Sequence, residues 1–306
     1  LYFKSGIIDP VFNLFIFLGI WYLIETINAN QLKSALTSGV FTGLAILTKG
    51  PVGLLLVLLT FLVYWSTLKF RKVTSFKHVS VFALSVFVVS SLWFGMETIK
   101  NGPWFIVEFI EYQIRLFSTP DAGHEQPFYY HFVVVLIGCF PMSVLALPNL
   151  FSMKDDSMVP FNTAKWMLIL FWVVMILFTI VRTKIVHYSS MAYLPLSFLA
   201  TLFIYQYLNN IRRLPSWLLI INLAIGLVLG LLLIALPVLL IRKDWLLQLI
   251  SHPSLQVEVP MYGWEYLGGV IYILFVIWFF IRMRRGQLKL ALFSNAFVLG
   301  LILLFN

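Results

Sequence analysis

The stretch LAILTKGPVGLLLVLLTFLVYW, residues 44–65, holds a single cation, Lys49, and its Lys-Gly-Pro centre separates two runs that are otherwise almost wholly apolar. The run from Gly50 to Leu68 is uncharged, over a length close to the roughly 18 residues, at about 1.5 Å each, that a helix needs to cross bilayer hydrocarbon. His78–Met96, Leu214–Ile241 and Leu290–Asn306 are further runs of this kind. Across 306 residues, 61% are hydrophobic and 11% charged, with a mean hydropathy of +0.96, whereas a soluble domain is about 25% charged. The chain therefore reads as an integral membrane protein. Continuous Leu-, Ile- and Phe-rich runs suit helices, since a barrel needs alternating strands and a polar lumen.

Apolar runs and breakers predict membrane helices near 9–27, 34–48, 51–67, 78–98, 127–150, 164–181, 185–207, 215–241, 263–282 and 289–305. The expected fold class is all-α, a polytopic bundle of about ten transmembrane helices. Most of the 21 Lys and Arg residues, among them Lys33, Arg71, Lys154, Arg212 and Arg284, fall in alternate connections, which assigns that side to the cytoplasm. The formal charge of +9 then reflects orientation and anionic lipid headgroups, and gives no reason to expect nucleic acid as a partner. The lone cysteine, Cys139, sits in an apolar run and permits neither a disulfide framework nor a thiolate metal site within the chain. The chain opens on Leu1 and stops while still apolar, so a fragment lacking sequence at both ends is expected.

The opposite, extracytoplasmic face gathers Lys4, Asp9, Lys49, Glu97, Lys100, Glu108, Glu111, Arg115, Asp121, His124, Glu125, Arg182, Lys184 and His187. Most of the potential chemistry thus lies at one membrane surface. In WFIVEFIEYQIRLF, Glu108, Glu111 and Arg115 recur at helical spacing on an otherwise apolar segment, which predicts an outward-facing helix lying in the interface plane. The loop STPDAGHEQPFYY follows it.

Each polar group has a plain reading beside a chemical one. Lys49 ends a run of 15 residues, short for a span, ahead of a Gly-Pro break. It either snorkels to headgroups or faces a phosphate in a cavity. Asp9 precedes Pro10 and either caps a helix start or is a catalytic carboxylate on the face that carries Lys49. His124, with Glu125 and Gln126 beside it, is either a solvated loop histidine or a phosphate donor or metal ligand. In RTKIVHYSSMAYLP, Arg182 and Lys184 either anchor a hairpin or meet a phosphate, and on a helix Lys184, His187 and Tyr188 would share a face. Arg115 has a possible partner in Glu111 one turn earlier.

Taken in order, IIDPVF, LTKGPVG, RLF…GHEQPFYY and RTKIVHYSSMAYLP resemble the bacterial glycosyltransferase family 39/83 group, which includes aminoarabinose lipid A transferases and protein O-mannosyltransferases of the GT-C fold. The resemblance covers about residues 1–207, leaving 208–306 as further transmembrane helices. It implies an enzyme of the bacterial inner membrane that moves a sugar from a polyprenyl-phosphate carrier to an acceptor (lipid A, a protein or another glycan) at the extracytoplasmic face, usually with inversion. By the same resemblance Asp9 matches a second acidic motif, the first lying upstream of Leu1. Lys49 and Arg115 match cations that hold the lipid phosphate, and Lys184 with Tyr188 matches a further phosphate-binding segment. His124 and Gln126 match a loop motif at which some members hold zinc or another divalent ion. A lipid-linked sugar flippase or transporter is the alternative, but its ionisable groups would lie near the midplane rather than at one surface.

Overall fold

A computed structural model describes residues 6–119, 126–151, 161–241 and 263–294, and the described residues are almost entirely helical. Contacts divide the chain into two units, Leu1–Arg212 and Arg213–Asn306. In the first, α1 (Asp9–Ala29), α2 (Leu32–Lys49), α3 (Val52–Thr67) and α4 (Phe76–Ser91) are followed by α5 (Phe94–Asn101) and α6 (Trp104–Ser118). Then come α7 (Tyr130–Gly138), α8 (Met142–Phe151), α9 (Phe161–Ile180), a 3₁₀ segment (Val186–Ala192) and α10 (Tyr193–Leu208). The second unit contains α11 (Ser216–Ile241) and α12 (Tyr266–Arg284), which pack where glycines remove side-chain bulk: a Cβ on Gly226 would lie 2.6 Å from Val276 and one on Gly230 would meet Ile273.

Among the described residues, five helices are long and apolar enough to cross a membrane, or six if α4 and α5 are one span bent by 50°. This is a polytopic helical membrane architecture. Most of the helix expected over 289–305 lies outside the described residues; the other predicted helix positions recur, yet several predicted spans are shorter or broken, for local reasons. The segment expected as one helix over 127–150 is divided between α7 and α8 at Pro141, which lacks the N–H that would continue the ladder. Ser143 Oγ donates to the Leu136 carbonyl at 2.6 Å, meeting one acceptor near the break. The segment expected as a helix from 185 begins instead as a 3₁₀ turn, where Ser190 Oγ bonds the His187 carbonyl and competes with regular helix.

Helix α2 is polar for its setting because it is the packing centre of α1 and α4. Its inner stripe, Ala35, Ser38, Gly39, Thr42 and Gly43, is buried, and small residues let helix backbones approach closely where lipid supplies no hydrophobic drive. Ser38 Oγ donates to the Gly19 carbonyl of α1 at 2.7 Å, and Thr42 Oγ1 to Ser38 O of its own helix at 2.8 Å. On the α4 side, a Cβ on Gly39 would meet the Phe82 carbonyl oxygen at 2.5 Å. Gly39→Ala is therefore expected to destabilise the protein by about 1–3 kcal/mol through overpacking against backbone that cannot give way, read as a lower midpoint of thermal unfolding in detergent.

Candidate phosphate-binding cavity

The Lys-Gly-Pro segment of residues 49–51 forms the α2–α3 corner. Gly50 takes φ +84° and ψ −162°, a backbone conformation that is essentially glycine's alone, and its N–H donates to the Ile46 carbonyl at 2.7 Å to close α2. The corner leaves Lys49 in the last turn of α2, where a cation complements the carbonyl end of the helix. The ring of Phe109 from α6 closes over the glycine, so that a Cβ on Gly50 would lie 2.5 Å from two of its ring carbons.

Asp9 opens α1, but its side chain does not cap the helix; the N-cap position is Ile8, which makes no side-chain cap. Instead Lys49 Nζ donates to Asp9 Oδ1 at 2.6 Å, across 40 residues of sequence. The aspartate side chain is 5% exposed and the lysine side chain 25%, so the carboxylate is enclosed while the ammonium keeps a face open to a ligand. His187 Nε2 stands 3.7 Å from Asp9 Oδ2. The ammonium also lies 4.8 Å from the Tyr188 ring centroid and 5.6 Å from that of Phe12, within the range of cation–π attraction. A lysine has three N–H donors. With one bonded to Asp9, the others remain for an anion arriving on the exposed side.

That side opens into a cavity of about 860 Å³. Asp9, Lys49 and Tyr188 give it a polar end, Gln113 adds an amide, and the other lining groups include Leu47, Leu55, Leu58, Trp93, Phe94, Phe105, Phe109, Ile110, Phe117, Phe178 and Met191. Phe94, Phe105 and Phe109 form an aromatic wall, with centroid separations of 5.8–6.3 Å. The C-terminal end of α6 is tied to the segment after α9: Arg182 N–H donates to Phe117 O, and Thr183 Oγ1 to Thr119 O at 2.8 Å. A small charged cluster in an otherwise mostly apolar hollow is complementary to an amphiphile with an anionic head.

The predicted site residues do not all meet here. Asp9, Lys49 and Tyr188 converge. Arg115 does not line the cavity; its guanidinium lies 5.1 Å from the Tyr112 ring centroid, on the polar stripe with Glu108 and Glu111, while Phe105, Phe109, Gln113 and Phe117 of the same helix line the hollow. Lys184 also lies outside the lining and donates to the Val181 carbonyl at 3.0 Å. Gln126 is exposed. His124, where a divalent ion was expected, lies outside the described residues, as do Lys4, Asp121 and Glu125; among the described residues no group of three His, Cys, Asp or Glu is placed to hold a metal.

His187, Phe12 and Asn13 were not among the predicted site residues. Asn13 follows Asp9 by one turn of α1 and its Nδ2 donates to Ser190 Oγ at 2.8 Å in a buried contact. The only signal for it in the sequence is an amide in an apolar helix, four residues from an acid.

Residues 2–93 match the family described as dolichyl-phosphate-mannose-protein mannosyltransferase. An undecaprenyl phosphate-alpha-4-amino-4-deoxy-L-arabinose arabinosyl transferase from Pectobacterium carotovorum is 26% identical over 238 residues, covering 74% of this chain and 41% of that protein. A transferase of the same description from Proteus mirabilis is 22% identical over 219 residues, covering 69% and 38%. The chain thus spans about two-fifths of the length of these relatives. Among solved structures, that of ArnT from Cupriavidus metallidurans bound to undecaprenyl phosphate superposes with a TM-score of 0.65 at 19% identity, covering 94% of this chain and 50% of that one.

Proposed function

We propose that this chain, whose fold is that of the ArnT and mannosyltransferase type of GT-C membrane glycosyltransferase, is the carrier-binding part of an enzyme that transfers a sugar from a polyprenyl phosphate to an acceptor at the extracytoplasmic face of the bacterial inner membrane. The observation that carries this reading is the Lys49 ammonium, held by Asp9 at the polar end of an otherwise apolar cavity. The prenyl tail occupies the aromatic and aliphatic walls. The phosphate meets Lys49 on its open side.

The charge accounting fits the reaction. A carrier-linked sugar is a phosphodiester with one negative charge. Breaking the sugar C1–O bond leaves a phosphomonoester, and the charge that develops on the departing oxygen is stabilised by a donor already in place. Asp9 acts through Lys49: its carboxylate accepts one N–H and so fixes where the ammonium stands. We assign the phosphate contact to Lys49, with the Tyr188 ring as the platform under it. The acceptor (lipid A, a protein or another glycan) gives up its proton to a base that we do not assign to Asp9, whose Oδ1 is engaged by Lys49. The loop carrying His124 and Gln126 remains a proposed acceptor or metal site.

The test is to incubate purified full-length protein with an undecaprenyl-phosphate sugar labelled in the sugar, together with lipid A, peptide and glycan acceptors. Label is expected to leave the carrier, and Lys49→Met to prevent this. Label retained on the carrier with every acceptor would overturn the transferase reading. Arg115→Ala is expected to change the affinity for undecaprenyl phosphate by less than about twofold, because an exposed charge off the site is worth little; a tenfold loss in a binding titration would return Arg115 to the phosphate site.

A further inference from the structure

The Tyr188 platform is carried by a 3₁₀ turn, a short and weakly determined element, yet its neighbours in the sequence are fastened from two sides. Ser190 Oγ accepts from Asn13 Nδ2 of α1 at 2.8 Å. Ser189 Oγ shares a hydrogen bond of 3.1 Å with His131 Nδ1 of α7. Both serines, Asn13 and His131 are buried. The Asn13 contact comes from the helix that opens with Asp9, so Tyr188 and the carboxylate that holds Lys49 are referenced to one rigid rod. The His131 contact comes from a helix that contributes nothing to the cavity lining.

His131 is costly for a packing residue. It is fully buried, and its Nε2 has no hydrogen-bond partner among the described residues. An unsatisfied buried polar atom is destabilising, a cost that a phenylalanine at the same place would avoid. What the imidazole adds is its bond to Ser189.

We propose that His131 and Asn13 are positioning residues: by fastening Ser189 and Ser190 they set the 3₁₀ turn so that the Tyr188 ring lies under the Lys49 ammonium, and thereby tune the site for the carrier's phosphate. The part concerning phosphate rests on the reading of Lys49 given above. The part concerning ring placement does not.

The experiment separates the two. Full-length protein carrying 3-fluorotyrosine at position 188 is followed by fluorine NMR, without ligand, in detergent. His131→Phe and Asn13→Leu are each expected to shift or broaden the resonance, and His131→Asn, which keeps an amide where Nδ1 stood, to restore it. Undecaprenyl phosphate binding by the same proteins in lipid nanodiscs should weaken roughly three- to tenfold in His131→Phe, the range a lost cation–π contact supplies. In a Tyr188→Leu background His131→Phe should weaken it no further, whereas a residue that only stabilises the fold would act equally in both backgrounds. An unchanged resonance in both variants, or equal loss in the two backgrounds, would overturn the proposal. Lys49→Met binding as tightly as the wild type would remove the phosphate reading alone, leaving the fluorine signal to decide ring placement.

Discussion

Lys49→Met is expected to lower sugar transfer by about 100-fold or more, the range seen when one preorganised donor to a developing anion is removed, and also to destabilise the fold. The two losses have different physical origins. Transfer fails because no cation remains at the polar end of the cavity. Stability falls because the Asp9 carboxylate, 5% exposed, loses the ammonium 2.6 Å away, and a buried charge left without its partner costs about 2–4 kcal/mol when that partner was itself partly open to solvent. Adding Asp9→Asn to Lys49→Met removes the stranded charge. The double variant should recover most of the thermal stability and none of the transfer, measured by unfolding in detergent and by the labelled-sugar assay. Recovery of transfer in the double variant would show that Lys49 serves only to neutralise Asp9.

Gly50→Ala is expected to have the largest effect on stability of any single methyl addition at the site. An alanine would have to take φ +84° with ψ −162°, which costs about 1–3 kcal/mol, and its Cβ would sit 2.5 Å from the Phe109 ring. Relieving that contact moves α6, and with it the aromatic wall of the cavity. A combined loss of roughly 3–4 kcal/mol follows from adding strain to overpacking. Phe109→Ala in the same protein should remove the steric part and leave the backbone part, so that Gly50→Ala is expected to cost less in the Phe109→Ala background than in the wild type. Equal stability of Gly50→Ala and wild type would mean that the corner is looser than the backbone geometry indicates.

Where prediction and structure part, the reason is local. Lys184 and Tyr188 share a face only if residues 184–188 are α-helical. The turn begins at Val186 and is 3₁₀, so Lys184 precedes it and reaches the Val181 carbonyl instead. The resemblance grouped Arg115 with Lys49 at the phosphate, yet Arg115 falls outside the cavity lining, on the stripe with Glu108 and Glu111, with its guanidinium over the ring of the lining residue Tyr112. The spans at 78–98 and 127–150 differ from expectation for related reasons: hydropathy sums over a window and is insensitive to one bend at residues 92–93 or to the proline at 141.

What the residues alone determine is the solvent: a chain this apolar partitions into a bilayer, and with no water there to bond its backbone it must become helices. They also place Asp9 and Lys49 at helix ends on one membrane face, because hydropathy and breakers are local properties. Only the tertiary structure decides that these two meet 40 positions apart, that Tyr188 and Phe12 flank the ammonium, and that Lys184 and Arg115 stand aside. Those outcomes depend on how small-residue stripes let helices approach and on the tighter 3₁₀ winding of one short turn, neither of which is written in the periodicity of any single segment.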